Sequence, residues 1–230
     1  MRDVGTAAGR GLAFVFTALK RLRPARPIHP IGLHLEGRLE RSGNSLASGI
    51  SWLDEAGKND VEARLSRSAG LPSRLPDIIG LALRVTAEDG QADILLASSG
   101  TSRAGRYLLQ PRRDVRAAAL TTVMPYRGAH GPVQLAARTI RPNVRLPADP
   151  AGFRRALGSE DWVLALFHAQ PWGPWRRFAT LTLRLAQGGG DTGLRFDPIV
   201  HRLPDAGTYR WIEKLRAPSY AVSRRARPRG

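Results

Sequence analysis

Cysteine is absent from the 230-residue chain. That excludes disulfides, iron–sulfur clusters, thiolate ligation of haem and cysteine nucleophiles. There is also no run of about 18 or more apolar residues, so no transmembrane segment is expected. The apolar stretch GLAFVFTAL at 11–19 is short and lacks the small-residue cleavage site of a secretory signal. A soluble, cytoplasmic protein is the expectation. Methionine occurs only twice. Lysine is confined to Lys20, Lys58 and Lys214, so the formal net charge of +17 is carried almost wholly by arginine. No catalytic carboxylate pair stands out. The glycine clusters GAHG at 128–131 and GGGD at 188–191 lack the strand–loop–helix context of a phosphate-binding loop.

Hydrophobic residues make up 42% of the chain, which sets it apart from a disordered composition. The length suits one well-cored domain or two small ones. The basic excess favours polyanions in general. It is densest in KRLRPAR at 20–26 and RRARPR at 224–229. No base-reading motif accompanies it, so no specific nucleic-acid partner is expected.

Periodicity predicts a short helix over 10–22, with Leu12, Phe16 and Leu19 near one face, ended by Pro24, Pro27 and Pro30. Strands are predicted over 29–40, 59–70, 133–146 and 175–186. The clearest hairpin spans 78–98, where two apolar runs flank Asp89-Gly90. A short helix is expected within 109–125, another over 151–159 and a last one over 209–224, after an extended exit at 194–204. No repeat or linker interrupts the chain. Several strands with a few helices point to one antiparallel α+β domain.

The residues able to do chemistry lie near the two ends. Arg216 and Tyr220 are four apart, which places them on one helix face. A guanidinium there favours the tyrosinate, a hard ligand suited to ferric haem. Taken alone, the spacing is a weak motif and reads first as a core tyrosine beside a surface arginine. His29, within RPIHPIG at 26–32, has the acid–base range to move peroxide protons, or is simply a polar strand end. His34, His130, His168 and His201 show no metal-ligand spacing.

Taken in order, RPIHPIGLHLEG at 26–37, ARLSRSAG at 63–70, PDIIGLALRVTAEDGQADILLAS at 76–98 and FDPIVHRLPDAGTYRWIEKLRAPSY at 196–220 resemble the catalase superfamily. The resemblance implies an α+β fold, an antiparallel β-barrel core with flanking helices. One domain would cover 26–230, after a basic helical extension at 1–25. It implies haem b as cofactor, with Tyr220 as the proximal ligand to its iron and Arg216 as the charge partner of Tyr220. Arg26 and Arg64 would pair with the haem propionates, and Arg227 would sit near the proximal network. His29 would be the distal acid–base and Ser66 the hydroxyl that orients it. The implied activity is that of a peroxidase or weak catalase acting on hydrogen peroxide or organic hydroperoxides with a small-molecule reductant. The implied assembly is a homo-oligomer, with a dimer as the expected state.

The chain departs from the family pattern in places. The distal asparagine position falls at Ser98, whose hydroxyl is shorter and freer to rotate. Looser positioning of peroxide lowers the turnover expected. Pro218 interrupts the stretch between Arg216 and Tyr220. The alternative that these departures leave open is a non-catalytic haem-binding protein of the same fold.

Overall fold

The computed structural model describes residues 31–43, 47–88, 90–188 and 190–212. The helices expected over 10–22 and most of that over 209–224 fall outside these residues, as does the extension at 1–25. Nine strands are present among the described residues. They are β1 (Gly32–Ser42), β2 (Ala56–Arg67), β3 (Ile79–Ala87), β4 (Gly90–Ser99), β5 (Ala119–Thr121), β6 (Tyr126–Gly128), β7 (Gly131–Arg141), β8 (Trp162–Ala169) and β9 (Arg176–Leu185). Two short α-helices, α1 (Ser51–Asp54) and α2 (Pro150–Leu157), and a 3-10 turn at Gly105–Tyr107 accompany them, and residues 210–212 are helical.

The strands run in the order β5-β4-β3-β2-β1-β9-β8-β7, and β5 pairs back onto β7 to close an eight-stranded antiparallel barrel. Strand β6 adds to β7 outside the ring. Closure leaves the eight strands without a free edge. The hairpin expected at Asp89-Gly90 is there: Ala87 pairs with Gly90, whose φ of 131° only glycine adopts readily.

Alternation sorts the side chains. Leu33, Leu35 and Leu39 of β1, Val61, Ala63 and Leu65 of β2, and Leu81, Leu83 and Val85 of β3 all belong to the buried core. Leu164 and Leu166 of β8 and Leu181 and Leu183 of β9 join them. At one end of the barrel, α2 sets Phe153 edge-on against Trp162, with ring centroids 5.1 Å apart. The helix starts where Asp149 accepts from the Gly152 N–H, an N-cap followed by Pro150 at the first turn.

Two sequence expectations are corrected. The alanine-rich stretch within 109–125 contains no helix. It forms β5, because pairing to both β4 and β7 outweighs local helix propensity. The exit at 194–204, expected to be extended, runs without helix or strand to Asp197 and then turns at 198–200. It crosses the outside of the barrel in turns held by Asp197.

His168 points into the barrel, 3% exposed, with its ring 6.2 Å from Phe178. Burial lowers its pKa, with a smaller upward pull from Asp54 and a downward one from Arg176. A histidine depressed in the folded state binds its proton more readily unfolded. Its contribution is therefore complete above about pH 6.5, the unperturbed value, and is lost as pH falls below it. Thermal melts across this range should show stability dropping by up to about 1.4 kcal/mol per pH unit. The His168→Gln variant should show a flatter profile. Equal pH slopes in the two proteins would remove His168 as the cause.

Candidate functional site

Residues two apart on a strand share a face, so Arg64 and Ser66 of β2 both project outward from the barrel. The register extends that face across the sheet. Ser66 stands beside Gly80, Gly80 beside Ala97, and Ala97 beside Thr121. Arg64 likewise stands beside Ala82, and Ala82 beside Leu95. The small side chains in these rows leave a hollow of about 420 Å³ on the outer face. Val123 and Met124 wall it on one side, and Leu194, Arg195 and Phe196 of the exit segment on another.

Two ion pairs build this wall, the first buried and the second between a buried arginine and an aspartate open to solvent. Asp93, fully buried, accepts from Arg84 Nε at 2.8 Å and Arg84 Nη2 at 2.7 Å. It also accepts from the Asp197 N–H at 2.6 Å, while Arg84 donates to the Arg195 carbonyl at 2.7 Å. The hydrogen bonds to Asp93 raise the pKa of Arg84 despite its burial. The exit segment is thus tied to β3 and β4 by charge-assisted bonds, roughly twice as strong as neutral ones. Phe196 lies under the same guanidinium, 5.3 Å from ring centroid to Cζ.

The second pair joins Arg64 to Asp191, with Nε to Oδ1 at 2.6 Å and Nη2 to Oδ2 at 2.7 Å. The same carboxylate accepts from the Gly32 N–H at 3.0 Å, so it pins the start of β1 and the 188–191 loop to the rim of the hollow. A Cβ at Gly32 would lie 2.5 Å from Arg64 Nε, so a side chain there would push the guanidinium away from its place beside Asp191. The GGGD loop therefore serves a structural role that its composition did not reveal.

The predicted residues are distributed as follows. Arg64 and Ser66 are brought together at the hollow. Ser66 is 4% exposed, its Oγ a weak 3.5 Å from the Gly80 carbonyl. Ser98 goes elsewhere: paired with Leu120 on the opposite parity, it is fully buried. Its Oγ accepts from the Ile79 N–H at 3.0 Å and donates to the Gln110 carbonyl at 2.7 Å. It does not line the hollow. The outward neighbours on β4 are Ala97 and Ser99, and Ser99 shares a 2.7 Å hydrogen bond with Thr121, which does line it. Arg26, His29, Arg216, Tyr220 and Arg227 lie outside the described residues.

Sequence reasoning missed Asp93, Asp191, Thr121, Arg195 and Phe196. Counting in twos along β4 from the outward Leu95 marks Ser98 as inward. No comparable local signal identifies Asp191, 127 residues from its partner. A larger polar hollow of about 710 Å³, bordered by Glu36, Arg38, Glu62, Asp161 and Arg184, contains none of the predicted residues.

The described part of the outer hollow suits a planar apolar ring with an acidic edge. Its floor is small, its walls are aliphatic and aromatic, and its rim carries Arg64 and Arg195. Among the described residues, no three His, Cys, Asp or Glu side chains cluster as metal ligands.

No protein-family model matches this chain, and no curated protein matches it in sequence. Among solved structures it is similar to catalase A from Saccharomyces cerevisiae, with a TM-score of 0.64 at 13% identity, covering 94% of this chain and 64% of that one. It is also similar to a bacterial catalase, with a TM-score of 0.57 at 13% identity, covering 97% of this chain and 60% of that one. The chain thus spans less than two thirds of either structure's length. At this identity the likeness is one of fold: a closed, catalase-like antiparallel β-barrel with few helices. No helix among the described residues is long and apolar enough to cross a membrane.

Proposed function

We propose that the outer hollow holds haem b and that the protein is a peroxide-handling oxidoreductase, using hydrogen peroxide or an organic hydroperoxide with a small-molecule reductant. The observation that carries this reading is the convergence of Arg64 and Ser66 on one apolar hollow of the barrel's outer face. The catalase-like fold and the ordered resemblance of the sequence support it.

In this reading Gly80, Ala82 and Ala97 would leave the space a haem needs, and Phe196 and Leu194 would keep water from it. Arg64, held by Asp191, would give the rim positive charge to meet the carboxylates of a haem. Arg195 stands on the same rim. Ser66 accepts or donates a hydrogen bond to hold the imidazole of His29, which takes a proton from one peroxide oxygen and returns it to the other. Arg216 stabilises the phenolate of Tyr220, the ligand of the iron. When bound, ferric haem supplies the iron centre at which a peroxide O–O bond is cleaved.

One observation favours a second reading, a haem-binding protein without turnover. Ser98, at the position expected to steer peroxide, spends its hydroxyl inside the barrel. An absorption spectrum of the protein supplied with haem, recorded before and after peroxide, separates the possibilities. The expected result is a ferric tyrosinate-type Soret band that changes on adding peroxide. Tyr220→Phe should lose the band. His29→Ala should keep it and lose the peroxide response by about two orders of magnitude or more, the scale of a positioned acid–base. A band indifferent to peroxide in the unsubstituted protein selects the second reading. No haem uptake at all defeats both.

A further inference from the structure

Away from the hollow, three adjoining segments concentrate exposed arginine. The first is 113–116, with Arg113 and Arg116. The second is the end of β7 and its exit, with Arg138, Arg141 and Arg145. The third is α2, with Arg154 and Arg155 in its last turn. Hydrogen bonds join the first two: the Val115 N–H donates to the Leu146 carbonyl at 2.7 Å and the Ala148 N–H to the Arg113 carbonyl at 2.9 Å. Arg116 also reaches the Asn143 side chain. Helix α2 is coupled to the same place, because Trp162, which packs on Phe153, donates to Thr139 Oγ1 at 2.9 Å.

Among the described residues, none of these seven arginines is ion-paired. The acids in the three segments and the short link before α2 are Asp114 and Asp149, and both are turned to backbone N–H groups. Between the arginines stand two bare aliphatic side chains, Ile140 at 41% exposure and Val144 at 49%. Ile140 keeps the outward parity of Arg138, and the β7–β8 register shift between Thr139 and Arg141 sets Arg141 opposite the outward Val163, on the same face.

We propose that this face binds the surface of an anionic lipid bilayer. Arginine side chains meet lipid phosphates and carboxylates, while Ile140 and Val144 enter the boundary between headgroups and acyl chains. Nucleic acid would match the charge but not the aliphatic pair. Single strands are held by stacking on aromatic rings, and the one aromatic in these segments, Phe153, is buried. The proposal is independent of haem.

The test is co-sedimentation of the full chain with vesicles of phosphatidylcholine alone or mixed with phosphatidylserine. Binding to the mixed vesicles only, weakening with salt, is expected. Each arginine at such a surface contributes about fivefold, so Arg138→Gln, Arg141→Gln and Arg145→Gln together should weaken binding roughly a hundredfold. Arg154→Gln with Arg155→Gln should weaken it about twenty-fivefold. Ile140→Ser with Val144→Ser should cost about tenfold through the apolar contact alone. All seven side chains are exposed, and unchanged melting temperatures would show that the variants fold. Binding of the triple arginine variant at the unsubstituted level would overturn the proposal, by moving the interaction to other basic segments. So would an unaffected Ile140/Val144 variant together with equal affinity for duplex DNA, which would identify a general polyanion surface. Absence of binding to the mixed vesicles overturns it outright.

Discussion

Replacing Asp93 by alanine should lower the unfolding free energy by about 3–5 kcal/mol, the usual cost of breaking one half of a buried ion pair. The carboxylate is fully buried and accepts three hydrogen bonds, two from Arg84 and one from the Asp197 N–H. Alanine would leave the guanidinium desolvated without a counter-charge and the Asp197 N–H without its acceptor. The loss should exceed that from removing both charges together. Asp93→Leu with Arg84→Met should recover most of the stability, since an apolar pair of similar size is often neutral or better. Equilibrium unfolding in urea, with unchanged dependence on denaturant, would measure both. A loss below about 1 kcal/mol for Asp93→Ala would mean that the pair is hydrated rather than buried. The effect reaches the hollow as well. Arg84 also holds the Arg195 carbonyl, so the segment carrying Leu194 and Phe196 loses two anchors at once.

Ala97→Phe should abolish haem uptake while leaving the barrel folded. Ala97 lies between Gly80 and Thr121 in the outward row at the floor of the hollow. A benzyl side chain there projects into open space rather than into the packed interior, so the stability change should be about 1 kcal/mol or less. The same space is where the ring of a haem would lie. Titration with haem, followed by absorption, should show affinity reduced by at least two orders of magnitude. A parallel melt should show a barrel nearly as stable as before. Full haem affinity in the folded variant would move the cofactor away from this face. Loss of uptake in both Ala97→Phe and Tyr220→Phe, with stability intact in each, would instead assign the two residues to one site.

Strand periodicity made much of the barrel legible. The alternating runs at 59–70 and 175–186 became β2 and β9, and Asp89-Gly90 marked the β3–β4 hairpin. Strand β8, WVLALFHA at 162–169, escaped because it is buried along nearly its whole length and so shows no alternation to read. The stretch that became β5 was misread as helical because its three residues form a strand only through their neighbours on both sides. Ser98 was singled out from its place in a motif, although its parity along β4 puts it among the inward residues, as its pairing with Leu120 bears out.

By itself the sequence determined the antiparallel α+β class, the absence of thiol chemistry and the sharing of one strand face by Arg64 and Ser66. These follow from composition and from a period of two, both local properties. The tertiary structure alone decided that this face becomes a hollow. Its walls depend on the pairing of Arg84 with a segment 111 residues away and of Arg64 with an aspartate 127 residues away. Such pairs leave no trace in local periodicity. Each partner alone reads as one more charged residue in a chain rich in them, and only the packing of distant segments against the barrel brings them together.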